Sequence, residues 1–508
     1  MNGDGTGKLD RRRFLAGAAA VTAGAAGCAG RRAGKRCPAS PAVFSLTRQR
    51  PALADLTGGR QPNILFILTD QERYAGNLPP TLKRPNFERL AANAVNFRNT
   101  FCAYPLCSPS RSAILSGKYP HQTGVLQNVI FPVGTNELPN DQPQIGSVLA
   151  AAGYRIGYKG KWDLSRGPTY YRMNLKDRGN AGDYGFEGHC GKVPDQEYGM
   201  NADGQVVDMS CEWIKGQQKG KPWFLCCSII NPHDICHPQL KPDQTIRPDA
   251  VLPSSLHDDL KNKPADQRQM RDSTIAHFNQ VIHPGAKPFN QYNERDWKLF
   301  LSFYYDLIEL TDRYVGRLFA ALEDTGQLDD TIIVYSSDHG ELGGAHGFSG
   351  KYEGYEEDLH IPLYLCHPAL ERREITALTS NVSIAPSIAA LAGAKWPAPI
   401  PGRDLSAWLT GQAGPAPEAV FSETETNVNY GLYKRVMATR MARAGRWKFS
   451  YSFHDVSDGQ LYDLAADPME MNNLFHDPAH AAERRELAAM MRAWQRETGD
   501  HLELPKDI

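Results

Sequence analysis

Six short stretches of this 508-residue chain put chemically capable side chains where an element ends or turns. Asp70-Gln71 closes the apolar run at residues 63–69, and Asp338-His339-Gly340-Glu341 closes another at 331–337. Hard oxygen ligands delivered from separate strands to one sheet edge form a cradle for a divalent cation. A strand-end aspartate taken alone is more often a turn former or helix cap. Cys107-Ser108-Pro109-Ser110-Arg111-Ser112-Ala113-Ile114-Leu115-Ser116-Gly117 sets a thiol at the mouth of a turn that runs into an apolar helix start. Pro109 fixes φ in that turn, and Arg111 carries a permanent charge able to hold an oxyanion. Lys161 and Asp163 lie in Gly160-Lys161-Trp162-Asp163, and His233 in Asn231-Pro232-His233-Asp234. Lys351 opens Lys351-Tyr352-Glu353-Gly354-Tyr355-Glu356-Glu357. These side chains offer cations for a compact anion and groups able to move a proton. Asp163 can act as a base or simply pair with Lys161. Taken singly, Lys351 reads as a solvated surface lysine, His121 as a hydrogen-bonded loop histidine and His237 as incidental.

The elements that must position these groups are legible as periodicity. Continuous apolar runs at 63–69, 223–230 and 331–337 read as strands buried on both faces, as in a parallel sheet. Helical spacing is expected over 85–97 and 297–324. Strands alternating with helices predict an α/β sheet, whose ligands bind beyond the carboxyl ends of the strands. Cys226-Cys227 reads as buried strand packing. After a Gly/Pro/Ala-rich stretch at 411–418, short strand-like pieces at 436–440, 447–451 and 461–464 and a helix over 481–496 predict a small antiparallel sheet with a terminal helix.

Composition narrows the classes. Lys plus Arg is 56 and Asp plus Glu 57, a net charge of −1, so no nucleic-acid partner is expected. Ten cysteines without zinc-ligand spacing indicate neither a disulfide scaffold nor a zinc module. Arg11-Arg12-Arg13-Phe14-Leu15 before an Ala/Gly-rich run looks like a Tat export signal, which implies the Tat translocase as a partner and a periplasmic or extracytoplasmic destination. Ala25-Ala26-Gly27-Cys28 resembles a lipobox, making Cys28 a candidate lipid anchor. No later run approaches about 18 apolar residues, so no transmembrane domain is expected.

The cysteine stretch, the block Gly153-Tyr154-Arg155-Ile156-Gly157-Tyr158-Lys159-Gly160-Lys161-Trp162-Asp163-Leu164 and the other four blocks, in that order, resemble the type I sulfatases. These are the formylglycine-dependent, cysteine-type members of the alkaline phosphatase superfamily. Asp70-Gln71 resembles the choline-sulfatase-like branch and its phosphonate monoesterase relatives. The resemblance runs over about residues 60–475, including 381–393 and Leu461-Tyr462-Asp463-Leu464. It implies an alkaline-phosphatase-like sandwich, with a large mainly parallel sheet flanked by helices, and a small C-terminal antiparallel sheet with a helix. The implied layout is an export signal at 1–36, a linker at 37–60, a catalytic domain at 61–411 and a C-terminal subdomain at 412–508.

The resemblance also assigns roles. A formylglycine-generating maturation enzyme would convert Cys107 to 3-oxoalanine, whose hydrate attacks sulfur. Asp70, Gln71, Asp338, His339 and modified Cys107 would hold one divalent cation, Ca²⁺ or, with one charge fewer at Gln71, Mn²⁺. Arg111 would hold the oxyanionic hydrate. Asn128, Lys161, His233 and Lys351 would contact sulfate, His233 also protonating the departing alcohol. Asp163 stands where the family has the histidine that takes the hydrate's proton. The implied activity is hydrolysis of a small-molecule or carbohydrate sulfate monoester to alcohol plus sulfate. Two alternatives stand beside it: a formylglycine-dependent phosphonate monoester or phosphodiester hydrolase, and a non-catalytic lipoprotein that binds sulfated glycans.

Overall fold

Successive residues of one strand point to opposite faces, and the first strand uses that alternation to bury both. Strand β1 (Asn63–Asp70) sends Ile64, Phe66 and Leu68 into one apolar core and Leu65 and Ile67 into another. Helix α1 (Pro85–Ala91) follows, then β2 (Ala94–Phe101), α2 (Cys107–Ser116), α3 (Ile145–Ala151), β3 (Arg155–Gly160), α4 (Gly199–Lys215) and β4 (Trp223–Pro232). The long helix α5 (Glu294–Asp324) leads to β5 (Thr331–Ser337), β6 (His360–Ile361), β7 (Leu363–Cys366), β8 (Arg373–Ser380) and α6 (Ile384–Leu391). Helices α3 and α6 cover the first core, and α4 and α5 the second. This computed structural model describes residues 61–129, 137–165, 181–186, 199–238, 240, 243–274, 286–409, 411, 416–430, 433–453 and 458–508. The expected export signal, linker and Cys28 lie outside them.

The large sheet has the order β3-β4-β1-β5-β7-β2-β6, with β8 on β2. β3, β4, β1 and β5 run parallel, so their carboxyl ends share one edge. β7 pairs antiparallel with β5 and β2, and β8 parallel with β2. The expected mainly parallel α/β sheet is therefore present, as is the buried placement of Cys226 and Cys227 on β4. One element differs. The helix expected over 85–97 stops at Ala91, and residues 94–101 form a strand. Val95 and Phe97 alternate with Asn96 and Arg98, and pairing to β7 and β8 outweighs the helical spacing.

The second sheet is antiparallel, in the order β12-β11-β10-β9, from β9 (Ala419–Tyr430), β10 (Tyr433–Ala444), β11 (Trp447–Ser452) and β12 (Asp458–Asp463). Helix α7 (Ala481–Thr498) closes it. Leu487, Ala488, Met491 and Trp494 of α7 share one core with Phe449 and Leu461 of this sheet and with Ala113 and Tyr119 at the cysteine helix. All described residues fall in one unit, Ala42–Ile508. Among them, no helix is long and apolar enough to cross a membrane.

Candidate active site

Four parallel strand ends and one helix start deliver the expected residues to one place. Asp70 ends β1, and Asp338 and His339 directly follow β5. Lys161 follows β3, His233 follows β4, and Cys107 opens α2. Pro109 sits in the first turn of α2, where its missing N–H removes no helical hydrogen bond. Gly160, at φ +100°, brings Lys161 into line: a Cβ there would lie 2.0 Å from the Ser228 carbonyl oxygen. That close approach lets the Lys161 amide donate to the same oxygen at 3.0 Å.

Cys107 is fully buried at the centre. Its Sγ lies 3.1 Å from Lys351 Nζ, 3.5 Å from His339 Nε2 and 3.7 Å from Asp70 Oδ1. Burial pushes the thiol up, the charges of Asp70 and Asp338 push the same way, and Lys161 and Lys351 only partly oppose them. An unmodified Cys107 therefore stays a thiol at neutral pH and makes a poor nucleophile.

Ligand atoms of Asp70, Cys107, Asp338 and His339 all lie within 4.8 Å of one another. Burial raises the Asp70 carboxyl, yet Lys161, His233, Arg111 and Lys351 outweigh it and hold this group well below the usual range. Burial and the Asp70 charge push Asp338 the other way, upward. Two buried carboxylates competing for charge are relieved by a divalent cation between them. His339 Nδ1 donates to the Gly340 carbonyl at 2.9 Å, which leaves the Nε2 lone pair facing the cluster. The donor set thus fits a cation held by Asp70, Asp338, His339 and residue 107.

The Arg111 guanidinium is held by four partners around the strand ends. Its Nε donates to Asp338 Oδ2 and one terminal nitrogen to Asp70 Oδ2, both at 2.9 Å. The other terminal nitrogen donates to the Lys161 carbonyl at 2.9 Å and to Ser228 Oγ at 2.7 Å. The guanidinium braces the carboxylates from behind, with no hydrogen bond to Cys107 among those seen. Gln71, at φ +71°, accepts from Lys351 Nζ at 2.8 Å and from Cys236 Sγ at 3.2 Å through Oε1. Its Nε2 donates to Glu341, whose other oxygen accepts the amides of Gly343 and Gly350, both at 2.8 Å. Glu341 thereby ties the metal-side loop to the loop bearing Lys351.

Lys161 Nζ binds Asp70 Oδ2 at 2.7 Å and stands 3.8 Å from Asp163 Oδ2, so the nearer partner is the strand-end aspartate. Asp163 is 2% exposed at φ +57°, a region an aspartate tolerates. Burial, with Lys161 and Lys351 reinforcing it against Asp70, drives His233 well below its ordinary value. Asn128 Oδ1 accepts the Ser108 amide at 3.0 Å and so steadies the first turn of α2. His121 is hydrogen-bonded to Glu423 at 2.6 Å, as expected, but sits in a short helix, Pro120–Thr123, rather than a loop. Ser228, Cys236 and the positional role of Glu341 were not anticipated. Glu341 lay inside a recognised block, whereas Ser228 is an ordinary polar residue inside an apolar strand and gave no signal.

Residues 62–394, well over half the chain, match the sulfatase family model. Residues 344–497 match the model described as N-sulphoglucosamine sulphohydrolase, C-terminal. The ulvan-active sulfatase of Formosa agariphila is 28% identical, covering 87% of this chain and 82% of its own. The N-acetylglucosamine-6-O-sulfatase of Bacteroides thetaiotaomicron is 26% identical, covering 87% and 88%. A solved 2-O GAG sulfatase shares the fold with a TM-score of 0.72 at 23% identity, covering 87% of this chain and 93% of its own.

Proposed function

The chain belongs to the sulfatase family and hydrolyses sulfate esters, and we propose that it does so through formylglycine made from Cys107 beside one divalent cation. The observation that carries this reading is the setting of Cys107. A buried thiol kept protonated, at a helix start, is flanked by two carboxylates, an imidazole and the Lys351 ammonium. When present, formylglycine supplies a hydrated aldehyde as nucleophile, and the cation, Ca²⁺ or Mn²⁺, supplies Lewis-acid polarisation.

The chain's own residues do the rest. Lys161, on Asp70, and Lys351, on residue 107, present ammonium groups that hold the anionic oxygens of the ester. Arg111 fixes Asp70 and Asp338 so that neither carboxylate has to reorganise. His233 is neutral in the free site. An anionic ester beside it raises its proton affinity, and the imidazolium then gives its proton to the departing oxygen. Asp163, 3.8 Å from Lys161, is the nearby carboxylate able to take a proton during sulfate release. The substrate is a small-molecule or carbohydrate sulfate monoester. The ulvan and N-acetylglucosamine named for the two relatives support a carbohydrate. The Tat-like start supports export after a cytoplasmic maturation enzyme has acted, with Cys28 a candidate lipid anchor.

The test is peptide mass spectrometry across Cys107 in active protein from its native producer, with sulfate release measured on nitrophenyl and sugar sulfates. The expected residue 107 has lost its thiol and gained an aldehyde, Cys107→Ala is inactive, and chelation removes activity that one of the two cations restores. Active protein with an unmodified thiol would overturn the formylglycine reading. Faster turnover of a phenyl phosphonate monoester than of any sulfate would favour the phosphoryl alternative.

A further inference from the structure

The turn that carries His233 is gripped by two carboxylates placed to touch backbone amides. Asp203, fully buried on α4, accepts from the amides of Ile230 at 2.7 Å and Asn231 at 3.0 Å, near the end of β4. Asp234, next to His233, reaches back and accepts from the amides of Gly199 and Met200, both at 2.7 Å, at the start of α4. Each element thus satisfies amides that the other leaves open. The fit is close. A Cβ on Gly199 would lie 2.4 Å from Asn231 Nδ2 and 2.6 Å from Asp203 Oδ2. Burial pushes the Asp203 carboxyl up to about 8, against the pull of the two amides.

Between these two grips stands His233, whose Nδ1 is buried without a hydrogen-bond partner. No side-chain hydrogen bond at Nδ1 orients the ring, which meets the His237 ring at 6.1 Å, so its place depends chiefly on the backbone on either side. We infer that Asp203 and Asp234 are positioning residues for proton delivery by His233, locking the turn that follows β4 against the start of α4 so that the imidazole meets the leaving oxygen. The inference rests on the reading of His233 as the proton donor. A displacement of about 1 Å at a reacting group can cost on the order of a hundredfold in rate.

The experiment compares matured, cation-loaded wild type, His233→Ala, Asp203→Asn, Asp234→Asn and the double variant Asp203→Asn/His233→Ala. Each is assayed for kcat/KM on sulfate esters graded from nitrophenyl to alkyl and sugar leaving groups. His233→Ala should steepen the dependence on leaving-group acidity, because only poor leaving groups need the proton. Asp203→Asn and Asp234→Asn should steepen it in the same sense, losing about tenfold to a hundredfold on alkyl sulfates and under about threefold on nitrophenyl sulfate. Adding Asp203→Asn to His233→Ala should cost nothing further on alkyl sulfates. A uniform loss across the series, or a full additional loss in the double variant, overturns the positioning role. An unchanged leaving-group dependence in His233→Ala instead overturns the proton-donor reading and this inference with it. If Asp203→Asn fails to fold, Asp234→Asn carries the same expectation from the other side of the clasp.

Discussion

At the residue scale, the site sets buried cations and anions against each other. Lys161 and Lys351 are both buried, and each lies against a member of the candidate site: Asp70 for the first, Cys107 for the second. Burial presses both lysines toward neutrality, but the surrounding acidic groups raise them, so both stay charged at neutral pH. Lys161→Ala and Lys351→Ala should each lower kcat/KM for sulfate esters by about a hundredfold to a thousandfold, as for loss of one preorganised oxyanion donor. Steady-state kinetics on the folded variants check this. A loss confined to KM would mean that the lysines bind substrate without favouring the transition state.

At the element scale, the decisive object is the junction of α2 with the ends of β1 and β5. Arg111 reaches from the second turn of α2 and satisfies one oxygen each of Asp70 and Asp338. Its side chain is 1% exposed, so solvent screening does not weaken the pairing. Arg111→Met would leave two buried carboxylates facing one another, a change expected to cost about 3–5 kcal/mol. Urea unfolding in chelator should show that loss, and an excess of divalent cation should recover part of it. Equal losses with and without the cation would mean that Arg111 does not share those carboxylates with a metal.

At the scale of the whole molecule, the C-terminal sheet and helix are bound into the same core as the cysteine helix. One clasp across that contact responds to pH. His121 Nδ1 pairs with Glu423 at 2.6 Å, while its ring meets Trp494 of α7 edge-on at 5.5 Å. Burial lowers the His121 pKa, but the Glu423 hydrogen bond and the charges of Glu423 and Asp500 overcome it despite Arg440, and the net shift is upward. A histidine raised on folding adds stability that is fully present below its unfolded value, about 6.5, and is lost as pH rises through the folded value. Thermal melts should therefore show His121→Gln costing most near pH 6 and progressively less toward pH 9. A pH-independent difference would assign the clasp to packing alone.

Much of this arrangement was legible in the sequence because it depends on local signals. Strand ends, the Pro109 turn and the blocks around Lys161, His233 and Lys351 are each written in contiguous residues, and their order along the chain identified the family and the fold. The strand at 94–101 was not legible. Its short Val95/Phe97 alternation follows directly on the helical spacing of Phe87, Leu90, Ala91 and Ala94, and pairing with β7 and β8, distant in sequence, decides where the helix gives way to a strand. The use of Arg111 was decided the same way. A permanent charge beside a nucleophile suggests an oxyanion holder; that it also braces two carboxylates follows only from the approach of β1 and β5. Residue types and spacing thus determined which groups could react. Which groups hold which depends on backbone ends that meet only when the parallel strands align, so the brace at Arg111 and the clasp around His233 belong to the tertiary structure.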